Sequence, residues 1–143
     1  MEKLSKNFSL DELTASITAL NHKIDNTPTE EVKEKLTRLA QDVLQPIRDA
    51  WGSPIVVTSG YRCPELNKAV GGSKTSQHMM GEAADLKVGD KEKNKKLFNM
   101  IQKLIQQNKI QVGQLIDEYN YSWSHVSLPR KNGKPNNQIL HLK

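Results

Sequence analysis

His78, Asp85 and His125 are the residues of this chain best suited to hold a metal ion, because two imidazoles and a carboxylate are donors that zinc takes from proteins. A zinc ion with three protein ligands keeps a fourth position for water, whose acidity it raises toward neutral pH. His78 and Asp85 stand seven residues apart in Ser76-Gln77-His78-Met79-Met80-Gly81-Glu82-Ala83-Ala84-Asp85. That is too far for one helical turn. Gly81, Ala83 and Ala84 suit a turn into a strand, which lets His78 from a loop and Asp85 from the strand converge. The third donor lies forty residues beyond Asp85, in Trp123-Ser124-His125-Val126-Ser127. In a strand, alternation puts Trp123, His125 and Ser127 on one face and Ser124 and Val126 on the other. By residue type alone a single histidine is more often a plain core or surface residue than a ligand, and His22 and His141 keep that plain reading.

The elements that must position these groups follow from caps and periodicity. Ser9-Leu10-Asp11-Glu12 is a capping box that starts a helix over about 10–22. Thr27 is the expected next cap, with Pro28 at the first helical position and Glu30 as reciprocal acceptor. Val32, Leu36, Leu39, Val43, Leu44 and Ile47 then form an apolar stripe that continues to Trp51, a long amphipathic helix bent near Pro46. After Gly52-Ser53-Pro54, the run Ile55–Ser59 reads as a buried strand ending at Gly60. Residues 61–82 read as a functional loop with one helical turn after Pro64. A second strand covers Ala83 to Val88, and Asp90 caps a third helix carrying Leu97, Met100, Ile101, Leu104 and Ile105. Strands near 114–118 and 124–128 follow, then a Lys-Asn-Gly-Lys turn at 131–134 and a last strand near 138–142. Helices first and a mostly antiparallel sheet after them is an α+β pattern.

The 143 residues predict a single domain over 1–143 with one core, burying roughly 70% of the unfolded surface. With 26% charged residues and no apolar run of about 18, membrane insertion is not expected. Met1 to Phe8 lacks the apolar segment of a secretory signal, so synthesis in the cytoplasm is expected. The lone Cys63 excludes an intramolecular disulfide framework and reads as a small core or turn residue. The net charge of +5 favours anionic polymers. The lysines at 87–103 and 131–143 lack the interleaved aromatics of a single-strand stacking surface, so they read as a solvated face and no specific nucleic-acid partner is expected. A monomer is favoured.

Several motifs occur together, in order and along nearly the whole chain: Phe8-Ser9-Leu10-Asp11-Glu12-Leu13, Val43-Leu44-Gln45-Pro46-Ile47-Arg48, Thr58-Ser59-Gly60-Tyr61-Arg62-Cys63-Pro64, Val70-Gly71-Gly72-Ser73, the Ser76 to Asp85 segment, Gln114-Leu115-Ile116-Asp117-Glu118 and Trp123-Ser124-His125-Val126-Ser127. In these the chain resembles the zinc D-alanyl-D-alanine carboxypeptidase family of metallopeptidases, more narrowly its single-domain branch in phage and prophage genomes. The resemblance implies the compact α+β fold shared with the Hedgehog signalling domain, one zinc ion per chain held by His78, Asp85 and His125, and hydrolysis of a peptide bond beside a D-amino acid in peptidoglycan stem peptides, as carboxypeptidase or endopeptidase. It implies Arg62 as a catalytic residue that binds substrate or polarises the carbonyl, and Ser76 as a substrate contact. It further implies action on the cell wall after release, in the manner of a phage lysin.

One departure stands out. Many relatives carry the acidic general base three residues before the last histidine, where this chain has Ser122. Glu118, which follows Gln114-Leu115-Ile116, matches the acid of the narrower branch and is assigned as base, with Asp117 as runner-up facing the other side of the strand. The alternative left open by Ser122 is a catalytically inactive, zinc-stabilised module that binds the wall or a protein. Substrate specificity is expected to reside in loop 63–76 and in the segment after His125.

Overall fold

The computed structural model describes residues 2–131 and 136–142. Its α+β architecture agrees with the order of elements expected from the sequence. The Ser9–Glu12 capping box forms, with Ser9 Oγ accepting from the Glu12 amide and Glu12 Oε1 from the Ser9 amide. The single helix expected over 10–22 is instead two, α1 (Leu10–Thr14) and α2 (Ile17–Asn21), broken by extended backbone at Ala15. Ser16 explains the break: its hydroxyl accepts from the Ala19 amide at 3.1 Å and starts a new helix, a competition with backbone hydrogen bonding that serine wins readily.

The long amphipathic helix begins with α3 (Glu30–Leu39), capped by Thr29 and not by Thr27. Thr27 is already engaged, its hydroxyl and amide both donating to Asp25 Oδ1 at 2.6 and 3.0 Å, so Pro28 falls before the cap. A wider π-helical turn, Ala40–Leu44, joins α3 to α4 (Gln45–Trp51). Pro46 lacks an amide hydrogen and crowds the carbonyl four residues back, and widening the preceding turn relieves that clash. Gly52, left-handed at φ 78°, ends the rod. Leu36, Leu39, Val43, Leu44 and Ile47 on its inner stripe are fully buried.

Five strands follow the order β1-β2-β4-β3-β5: β1 (Val56–Ser59), β2 (Ala83–Lys87), β3 (Gln114–Glu118), β4 (Trp123–Ser127) and β5 (Gln138–Leu142). All neighbours are antiparallel except β3 and β5, which are parallel. β1 is an edge strand whose residues are exposed or half-exposed, which corrects the buried strand expected there; its β-branched side chains suit a pleated surface without requiring cover on both faces. Most of the expected turn at 131–134 lies outside the described residues. Between β1 and β2 run α5 (Pro64–Ala69), capped by Cys63, and a single 3₁₀ turn, Gln77–Met80. α6 (Lys91–Gln106), capped by Asp90, packs on β3 and β4. Strand alternation divides the sheet: Ala84, Leu86, Leu115 and Val126 join Leu44, Ile47, Leu97 and Ile101 in one hydrophobic cluster, while Asp85, Ile116, Glu118 and His125 occupy the opposite face. Among the described residues no helix is long and apolar enough to cross a membrane.

Candidate metal centre

Asp85 of β2 and His125 of β4 are direct cross-strand partners, with Ile116 of β3 beyond them. His78 approaches from the 3₁₀ turn, which Ser76 opens by accepting from the His78 amide at 3.2 Å. Asp85 Oδ1 lies 3.4 Å from His78 Nε2 and 3.0 Å from His125 Nδ1, and all three side chains are buried. Donors about 2.0–2.2 Å from a tetrahedral zinc stand about 3.3 Å from one another, so this donor set fits the ion. The remaining ring nitrogens face outward. His78 Nδ1 lies 2.7 Å from the Gly60 carbonyl, which only accepts, so Nδ1 carries the proton and Nε2 presents its lone pair. His125 Nε2 lies 3.4 Å from Gln77 Oε1 and is assigned in the same way. Such outer partners fix the orientation of metal-binding imidazoles.

Burial alone would push the Asp85 carboxyl up, but in metal-free protein hydrogen bonds from His125 and His78, and their charge once the nitrogens facing it are protonated, hold it down at about 2. A folded-state value below the ordinary 3.8 means that Asp85 favours the folded state above that pH, and that this contribution is lost as pH falls from 3.8 toward 2. In metal-free protein the loss is expected to be about 2 kcal/mol, and acid titration followed by circular dichroism should show a shallower slope for Asp85→Asn. Gly81 closes the turn three residues after His78 at φ 73°, and a Cβ there would stand 2.8 Å from Val32 Cγ1 and 2.9 Å from the Val32 carbonyl. Gly81→Ala is therefore expected to cost about 2–4 kcal/mol, from the left-handed backbone and the overpacking together, read as a lowered urea midpoint.

The donors sit in a cleft of about 940 Å3 whose walls include Arg62, Ser76, Glu118, Trp123, Arg130 and Lys131. The Arg62 amide donates to the His78 carbonyl at 3.1 Å, and Nη2 donates to Ser76 Oγ at 3.0 Å. Burial pulls the Arg62 guanidinium's pKa down, while Asp85 and Glu118 push it back up. Glu118 pairs in register with Trp123, whose indole Nε1 donates to Glu118 Oε2 at 2.5 Å. Asp117 faces the other way, accepting from the Tyr121 amide at 2.6 Å and pairing with His141 at 3.1 Å. His141 is thus outside the metal centre, and His22 is exposed.

Between Glu118 and Trp123, Tyr119, Asn120 and Tyr121 are all left-handed, at φ 52°, 54° and 62°. Three such residues in succession need external ties. Asp117 supplies one, Ser122 Oγ another by donating to the Tyr119 carbonyl at 2.7 Å, and the buried Asn94 donates to the Tyr121 and Ser122 carbonyls at 3.1 and 3.2 Å. Ser122 therefore closes the hairpin that carries Glu118. Sequence reasoning missed Gln77, the Gly60 carbonyl, the Trp123–Glu118 bond and Asn94. Only Asn94 left a signal, as a polar residue three and four positions before Leu97 and Phe98 on the apolar stripe of α6.

Comparison with known proteins agrees with the motifs. A stretch of 47 residues is 49% identical to the zinc D-Ala-D-Ala carboxypeptidase of Streptomyces albus G, spanning 32% of this chain but only 18% of that relative. Residues 6–127 match the family described as Peptidase M15. With most of its length inside that match and a zinc-type donor set at the centre of its cleft, the chain belongs to the Peptidase M15 family.

Proposed function

We propose that this protein, as a single peptidase domain, hydrolyses a peptide bond beside a D-amino acid in peptidoglycan stem peptides. The observation that carries the reading is the convergence of His78, Asp85 and His125 on one point of a cleft that also holds Glu118 and Arg62. These three side chains would hold one zinc ion per chain, which when bound supplies Lewis acidity to the attacking water and the scissile carbonyl. Glu118 takes the proton of the attacking water and returns it to the leaving amine. Trp123 fixes one of its carboxylate oxygens and leaves Oε1 for the exchange. Arg62 stabilises the negative charge that develops on the carbonyl oxygen, and Ser76 orients Arg62 and contacts substrate.

Arg62→Ala is expected to retain zinc and to lower turnover by about 10²–10³, the usual cost of removing one donor to a developing oxyanion, as read by zinc content and kcat on the same preparation. The reading itself is tested by incubating zinc-loaded protein with peptidoglycan and with soluble stem peptides and identifying products by mass. Products that need stoichiometric zinc name the bond. Zinc at one per chain with no product from any wall type would replace the enzyme by a zinc-stabilised binding module.

A further inference from the structure

We propose that Arg130 binds a carboxylate of the substrate, within about two residues of the bond that is cut. This rests on the proposal above that a peptide lies across the cleft. The cleft face of the sheet is laid out in rows: Glu118 opposite Trp123, then Ile116, His125 and Asp85, then Gln114, Ser127 and Ala83. Successive rows are about 7 Å apart, two residues of extended chain. The metal row is therefore flanked by Glu118 on one side and by the Gln114 row on the other.

Arg130 closes that far row. Its Nη2 donates to Gln138 Oε1, which also accepts from Gln114 Nε2 at 3.2 Å. Its stem reaches this place across Gly113, where a Cβ would stand 2.6 Å from the Leu128 carbonyl and 3.3 Å from Arg130 Cγ. The backbone is pinned by Asn136, which accepts from the Arg130 amide at 2.6 Å and donates to its carbonyl at 3.1 Å. Arg130 Nε is buried and has no hydrogen-bond partner among the described residues.

Charge in the cleft points to an anion. Of the cleft's carboxylates, Asp85 is engaged by both imidazoles, Glu82 faces Lys35 at 3.9 Å and Glu118 accepts from Trp123, and the four cations Lys35, Arg62, Arg130 and Lys131 outnumber these three. Neither Arg130 nor the adjoining Lys131 has an ion-pair partner among the described residues. A guanidinium is always charged, and its planar fork matches a carboxylate with two parallel hydrogen bonds. The carboxylate comes either from the chain end or from a side position such as the α-carboxyl of a γ-linked D-glutamate.

The test uses zinc-loaded protein and N-acyl-D-Ala-D-Ala peptides whose scissile amide is reduced to an amine, so that binding is read without turnover. One pair differs only in a terminal carboxylate or carboxamide. A second pair of stem peptides differs only in a free or amidated D-glutamate carboxyl. By calorimetric titration, the acid of one pair is expected to bind about 10–100-fold more tightly than its amide, the range for a hydrogen bond to a charged group. That pair names the source. Arg130→Gln should bring the ratio to within about threefold, and Arg130→Lys should keep part of it. Equal weakening of acid and amide in Arg130→Gln, an unchanged ratio, or no ratio in the parent protein would each overturn the assignment. If the unreduced peptides are not cut at all, hydrolysis fails as a function, while the titration still decides for or against Arg130.

Discussion

Glu118→Gln is expected to bind zinc at the stoichiometry of the parent protein while its turnover of stem peptides falls by about 10²–10⁴, the range that general acid–base catalysis contributes. The substitution keeps size and an oxygen for Trp123 Nε1, so the Tyr119–Tyr121 hairpin and the chelating triad should be undisturbed. What it removes is the group proposed to accept the water proton. Zinc content and kcat measured on one preparation separate the two effects. Asp117 cannot take over, because it is buried on the other face of the sheet and committed to Tyr121 and His141. Full activity in Glu118→Gln would therefore remove both Glu118 and its neighbour from the mechanism.

His125→Ala is expected to lose zinc at concentrations that saturate the parent protein, and with it all detectable hydrolysis. Two donors would remain where the site has three, and Asp85 would lose its 3.0 Å partner while still buried. Leaving a buried acceptor short of a hydrogen-bond partner costs about 1–3 kcal/mol, so the variant should also melt lower without metal. Zinc stabilises a folded state that binds it by about 4 kcal/mol when present at a thousand times its dissociation constant. Thermal melts with and without zinc should accordingly show a marked rise for the parent protein and none for His125→Ala. An equal rise in both would mean that the ion binds elsewhere.

These two variants probe residues of one hairpin, on β3 and β4, and the sequence was unequally informative about their surroundings. The caps at Ser9 and Asp90, the apolar stripes of the rod and of α6, and the alternation in β2, β3 and β4 are local properties. Each depends on residues within a turn or a strand, so spacing alone placed Trp123 and His125 on one face of their strand, while Glu118 was marked only by the family resemblance and its meeting with Asp85 and His125 came from strand register. Ser16 and Thr29 show the limit of this locality, since several residues nearby can serve as caps and neighbouring hydrogen bonds choose among them.

What only the tertiary structure decided are the partners that fix the site. Gly60 holds His78 through a carbonyl that every residue possesses, and no residue letter marks it. Gln77, Asn94 and Gln138 act through hydrogen bonds that reach across 48, 27 and 8 residues, distances over which spacing carries no periodic signal. Chemistry-bearing residue types and short-range periodicity determine which groups are present and which face they share. Strand register and chain reversal determine which of them meet, because those arise from packing the whole chain into one core.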